Sequence, residues 1–338
     1  MIWATKDGLI ALAVAINVSL VRSEKMQDWW SITFPKGRQT VTITDANGYP
    51  VKIAYGEKGQ GKPLFLVHGI GSWSYSWRHN IDRLSQHFRV ICFDAKGHGF
   101  SDRPLYPEQV GHQIIEIKRI IEALTDEPAI VIAISLGALV TLGAASSYPE
   151  LFAGLVVINV PIFPQRLPNR AMRLLSYLPM DLVRTVDNLR LAKILAPMVR
   201  QIIEIERQEV VVNPESITSE EVYWISYPYI NFINAITKYA EELRNSAREI
   251  ERLLNKEPNI ISKIQENLPK IHCPTLILWG EQDRWFDVSN GKKLQLRLPG
   301  SQLKILPDCG HDPSASCPEV VNEAILEFLR DIDLVSVK

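Results

Sequence analysis

The stretch Ala133-Ile134-Ser135-Leu136-Gly137 follows a continuous apolar run, Ala129 to Ile134, and precedes a segment with helical spacing, Leu136 to Ser147. A serine between a buried strand and a helix, with small residues on both sides, has the form of a G-x-S-x-G nucleophile elbow, here with Ala133 at the first small position. A sharp strand-to-helix turn forces its central residue into a strained conformation, so the neighbours must be small. The serine oxygen then stands above the sheet at the positive end of a helix. The same residues also suit a serine that merely caps a helix.

Moving outward, short branched apolar runs recur on both sides: Pro63 to Val67, Arg89 to Phe93, Leu155 to Asn159, Thr275 to Trp279 and Gln302 to Leu306. Near-continuous runs of this kind, separated by helical segments such as His112 to Leu124 and Glu319 to Leu329, predict a parallel sheet covered on both faces. Ahead of them, Thr40 to Thr44 and Val51 to Tyr55 flank Ala46-Asn47-Gly48-Tyr49, a hairpin signal. Between Pro161 and about Pro274 strand patterns cease, and Met172 to Arg207 and Ile230 to Leu254 read as amphipathic helix. This predicts a helical insertion between two strands.

Three other strand ends carry chemistry. Leu66-Val67-His68-Gly69-Ile70-Gly71 ends a strand in a small-residue loop that would free backbone N–H groups for a developing oxyanion, with Ile70 and Leu136 as the donors. Trp279-Gly280-Glu281-Gln282-Asp283 places an acid after a strand, and Asp308-Cys309-Gly310-His311 a histidine after the next. The chain order Ser135, Asp283, His311 is the order in which strand-end loops of one sheet build a triad. Serine is a weak nucleophile alone, so it needs His311 as base and Asp283 to fix the imidazole tautomer.

On these four motifs the chain resembles the α/β-hydrolase superfamily from about Thr40 to Leu329. The resemblance implies a mostly parallel sheet flanked by helices, with core at residues 31–161 and 271–338 and a helical cap or lid at residues 162–270. It also marks Asp94-Ala95-Lys96-Gly97-His98-Gly99-Phe100-Ser101 as a D-x-x-G-x-G-x-S scaffold segment, and Asp283, rather than Glu281 or Asp287, as the acid. Relatives that open epoxides or displace halide use an aspartate nucleophile, and Ser135 stands in its place here. Relatives that hydrolyse carbon–carbon bonds keep the serine but often carry a Gly-Pro-Gly oxyanion loop, where this chain has Gly69-Ile70-Gly71. The expected activity is therefore hydrolysis of a small hydrophobic carboxylic ester through an acyl-enzyme, without cofactor or metal. A carbon–carbon hydrolase and a non-catalytic binding module of the same fold are the alternatives. Trp73, Trp77, Tyr223 and Trp224 are candidates for the substrate pocket, with aromatic core packing as the competing reading. His68 is read as ordering the oxyanion loop.

Composition narrows the partners. The 338 residues carry 37 Lys+Arg against 38 Asp+Glu, and this balance argues against nucleic acid as a partner. Cys92, Cys273, Cys309 and Cys317 are too scattered for a disulfide framework or a CxxC zinc site, which points to a reducing, cytoplasmic compartment. Residues 1–30 stand apart. Gly8 to Val21 carries no charge and would span about 21 Å as a helix, short of the roughly 30 Å of a bilayer core. It reads as a signal-peptide h-region, as a peripheral membrane anchor, as a surface-docked extension, or as an upstream start with the true start at Met26.

Overall fold

The computed structural model describes residues 26–334. Segment 8–21, and the membrane contact expected of it, lie outside the described residues. No helix among the described residues is long and apolar enough to cross a membrane.

Eight strands form one sheet: β1 (Gln39–Thr44), β2 (Pro50–Lys58), β3 (Pro63–Val67), β4 (Arg89–Phe93), β5 (Ala129–Ile134), β6 (Phe152–Ile158), β7 (Thr275–Gly280) and β8 (Gln302–Leu306). Their spatial order is β1-β2-β4-β3-β5-β6-β7-β8. β1 and β2 pair antiparallel, as does β2 with β4; the remaining pairs are parallel. The β1–β2 turn closes on Asp45, whose carboxylate accepts from the N–H groups of Asn47 and Tyr49 at 3.0 and 2.9 Å.

The branched runs become central strands because both of their faces are buried. Along β3, Phe65 and Val67 join one apolar layer, and Leu64 and Leu66 join the other. β5 repeats the alternation, with Val131 and Ala133 against Ile130, Ile132 and Ile134. Each such side chain contributes roughly 1.5–3 kcal/mol when removed from water. The first layer is covered by helices His112–Leu124 and Leu136–Ser147, and the second by Pro318–Asp331.

The chain runs from β6 into a set of helices before it returns at β7. Met172 to Arg207 is not one helix but falls into Arg170–Tyr177, Met180–Asn188, Leu191–Ile194 and Ala196–Val210. Pro179 and Pro197 explain two breaks, since each begins a new helix where it lacks the N–H to continue an old one. A left-handed Arg190, at φ +56°, makes the third. Likewise Ile230 to Leu254 is divided between Ser219–Asn231 and Ala235–Leu254, with Asn234 left-handed at φ +67°.

Candidate active site

Strand order reverses direction at β3, so the crevice beyond the carboxyl ends of β3 and β5 is the place an open α/β sheet offers a ligand. Val67 of β3 pairs with Ala133 of β5, which puts the loop at residues 68–71 directly beside Ser135. Ser135 has φ 54° and ψ −127°, a conformation that costs a non-glycine residue about 1–3 kcal/mol. The turn is held by the Ser135 N–H donating to the Ile158 carbonyl at 2.9 Å and by the first helical bonds, from the N–H groups of Ala138 and Leu139 to the Ser135 carbonyl. Gly137 must be glycine, because a Cβ there would lie 2.2 Å from the His68 carbonyl oxygen.

His311 Nε2 lies 3.0 Å from Ser135 Oγ, and its Nδ1 lies 2.9 Å from Asp283 Oδ2. The other Asp283 oxygen accepts from the N–H groups of Trp285 and Phe286 at 2.8 and 3.0 Å. With both oxygens engaged, the carboxylate cannot rotate away from His311. All three side chains are buried. Trp285 and Phe286 flank the imidazole at ring separations of 4.6 and 5.4 Å.

Asn159 is a functional position that the sequence pattern hides as the last residue of a predicted strand. It is fully buried and left-handed, at φ 49°. Its amide donates to the carbonyls of Gly310 and His311 at 3.0 and 2.7 Å, while its oxygen accepts from the Gly280 N–H at 2.9 Å. One side chain thereby clamps the loop carrying Asp283 to the loop carrying His311. A polar residue ending an otherwise apolar strand was the available signal.

Leu136 opens its helix, so its N–H has no intrahelical acceptor. Ile70 reaches its position through His68. The Ala95 N–H donates to His68 Nε2 at 3.0 Å, which leaves the proton on Nδ1 to donate to the Gly69 carbonyl at 2.9 Å. Across a trans peptide the N–H points opposite the carbonyl, so fixing the Gly69 carbonyl fixes the direction of the Ile70 N–H. Burial, with help from the neighbouring His98, pushes the His68 pKa down to about 3 and keeps the ring neutral. His98 in turn pairs with Glu242 of the insertion at 2.9 Å, which carries its pKa above the ordinary value despite burial. Asp94 is scaffold, accepting from the N–H groups of Ser74 and Phe100 at 2.8 and 2.7 Å.

Two cavities meet at Ser135, both also touching Ile70, Met172 and Trp285. The larger, about 400 Å³, runs under the insertion and is lined mainly by aliphatic side chains including Leu175, Val199 and Ile203. The smaller, about 50 Å³, lies toward Leu139, Leu167 and Ile261, with Arg166 in its wall. In the larger cavity Arg78 and Arg207 are neutralised by Glu221 and Asp312, at 2.7–2.9 Å. Glu206 is different. Burial and the nearby Glu209 raise its pKa to about 7. Tyr229 and Tyr239 share this cavity, and the Tyr229 hydroxyl donates to the Gly71 carbonyl at 2.6 Å.

The four aromatic pocket candidates lie elsewhere. Trp73, Trp77 and Trp224 are buried, and none of the three, nor Tyr223, lines either cavity. The Ser74 contacts with Asp94 turn the chain down onto the sheet face, and Trp73 packs against Trp29, Trp30 and Trp224. Its indole N–H donates to the Trp224 carbonyl at 3.0 Å, so this cluster seats the insertion instead of facing substrate. Tyr223 meets Trp224 edge to face and lies under Arg200.

Residues 62–315 match the family model described as alpha/beta hydrolase fold. Among relatives, the chain is 27% identical to epoxide hydrolase 4 of Mus musculus, over 82% of this chain and 76% of that protein. It is 26% identical to the 2-hydroxy-6-oxononadienedioate/2-hydroxy-6-oxononatrienedioate hydrolase of Comamonas testosteroni, over 86% and 96% of the two chains. A thermophilic esterase from Thermogutta terrifontis superposes with a TM-score of 0.64 at 22% identity, covering 87% of this chain and 99% of its own.

Proposed function

This chain belongs to the alpha/beta hydrolase fold family, and on that premise we propose that it hydrolyses a carboxylic ester through Ser135, His311 and Asp283. The observation that carries this reading is the continuous contact from Asp283 Oδ2 through His311 to Ser135 Oγ, at 2.9 and 3.0 Å. In this mechanism Ser135 Oγ attacks the ester carbonyl while His311 Nε2 takes its proton. Asp283 holds Nδ1–H and stabilises the imidazolium. The N–H groups of Ile70 and Leu136, at the positive end of the helix Leu136–Ser147, receive the oxyanion. His311 then protonates the leaving alcohol, and water repeats the sequence on the acyl-enzyme. The unequal cavities support an ester with one extended apolar part and one compact part.

Carbon–carbon hydrolysis is the second reading, favoured by the relatedness to the Comamonas enzyme. A substrate of the class its name describes is an anionic acid, and in this chain Arg166 in the smaller cavity would be the residue to hold a carboxylate. The two readings separate in one assay series. p-Nitrophenyl esters of rising chain length are tested beside a 2-hydroxy-6-oxo-dienoate, with the parent, Ser135→Ala and Arg166→Gln. The ester reading predicts turnover that grows with chain length, is lost in Ser135→Ala and is unchanged in Arg166→Gln. Turnover of the dienoate alone, sensitive to Arg166→Gln, would replace it with the second reading.

A further inference from the structure

The insertion leaves an unusual amount of apolar surface in solvent. Of the sixteen large exposed apolar side chains among the described residues, nine fall between residues 174 and 205. They are organised. Leu195, at the N-cap, and Met198, Ile202 and Ile205 of the helix Ala196–Val210 follow 3-4-3 spacing, which places them on one face, and each is 44–54% exposed. Leu174 and Tyr177, at 66% and 81%, form a similar pair on Arg170–Tyr177. Scattered exposed apolar residues need no explanation, but a contiguous stripe marks an interaction surface.

Two observations name what covers it. The first is charge. Residues 166–210, to the end of the second helix, hold eight Lys or Arg against five Asp or Glu, in a chain whose net charge is −1. One of the five acids, Asp187, is buried and accepts from Thr237. Arg166, Arg170 and Lys193 are exposed, whereas Arg184 is paired with Asp181 and Glu241 at 3.5 Å. A second copy would bring like charge onto like charge, whereas an anionic bilayer matches both the apolar stripe and its basic border. The second is continuity. Leu174 and Ile202 belong both to the exposed surface and to the wall of the cavity that ends at Ser135.

We propose that the face formed by helices Arg170–Tyr177 and Ala196–Val210 docks on anionic lipid bilayers, with the cavity mouth at the contact. Docking is a property of the surface alone. The added statement, that an acyl-bearing substrate passes from the bilayer to Ser135, rests on the ester reading above.

The test is vesicle flotation of the full chain, with vesicles of phosphatidylcholine alone or mixed with phosphatidylglycerol. One variant combines Leu195→Gln, Met198→Gln and Ile205→Gln; another combines Arg170→Glu and Lys193→Glu. Near-UV circular dichroism confirms that each variant is folded. The parent and Ser135→Ala are expected to float with mixed vesicles and only weakly with phosphatidylcholine. The glutamine variant should lose about tenfold or more of its partitioning. The glutamate variant should lose binding to mixed vesicles specifically. Docking is overturned if the parent does not float, or if the glutamine variant floats as well as the parent, which would assign any binding to another part of the chain such as residues 8–21. It is equally overturned if sedimentation shows that the stripe instead holds two copies together without lipid. Because Ser135→Ala reports docking without hydrolysis, failure of the ester reading leaves flotation unchanged, and failure of docking leaves ester turnover unchanged.

Discussion

The sheet ends and the insertion that covers them are built on opposite principles. Around Ser135 the side chains are over-determined: Asp283 accepts three hydrogen bonds, Asn159 makes three, and His68 is held at both ring nitrogens. In the insertion, short helices broken by Pro179, Arg190 and Pro197 present aliphatic side chains to the cavity on one side and to solvent on the other. Fixed geometry serves a reaction whose proton must move along one line. Loosely specified apolar walls suit a site that admits an extended, featureless substrate.

The two regions are fastened at many points, among them His98–Glu242, Lys238–Glu108, Arg78–Glu221 and Arg207–Asp312, and Arg207 is the one beside the His311 loop. It donates to Glu221 within the insertion and to Asp312, the neighbour of His311. Arg207→Ala would leave two carboxylates with a lost partner, and is expected to lower unfolding stability by about 3–5 kcal/mol in chemical denaturation. A loss under about 1 kcal/mol would mean that the insertion is not anchored through this pair. Asn159→Ala strikes the sheet side. With three buried hydrogen bonds gone, ester kcat should fall roughly 10–100-fold while KM for short esters stays near the parent value. An equal change in both constants would argue against a role in aligning the two loops.

Glu206 sharpens the contrast through pH. Its folded pKa of about 7 lies above the ordinary glutamate value, so the unfolded chain ionises first. Stability therefore falls as pH rises from about 4.5 to about 7 and is level beyond. Glu206→Gln should remove that fall, gaining about 1–3 kcal/mol over the parent at alkaline pH and little at pH 4, as read from thermal melts at both values. The smallest effect belongs to Leu174, at the cavity mouth. Leu174→Ser is expected to raise KM several-fold for long-chain esters and leave short ones unaffected, equivalent to about 1 kcal/mol of lost apolar contact.

What could be read from the sequence follows the same division. Strands such as Pro63–Val67 and Ala129–Ile134 are legible because burial on both faces demands unbroken apolar runs. Ser135, Asp283 and His311 are legible because each sits just past such a run. The insertion is legible as helical but not in its divisions, since amphipathic spacing continues across Pro179 and Asn234 although the helices do not. Trp73 and Trp224 mislead because a large aromatic looks the same in sequence whether it lines a cavity or, as here, fills an interface between loop and insertion. Trp285 and Glu206 reach the cavities only through tertiary folding, and no local spacing marks them.

Activation of Ser135 along the line from Asp283 through His311 can be read chemically, by treating the folded protein with a fluorophosphonate and locating the adduct by mass spectrometry in the parent, His311→Ala and Ser135→Ala. One stoichiometric adduct is expected on Ser135 in the parent, slowed by about a thousandfold or more in His311→Ala and absent from Ser135→Ala. Labelling of Ser135 at the same rate with and without His311, or an adduct on a different residue, would contradict it.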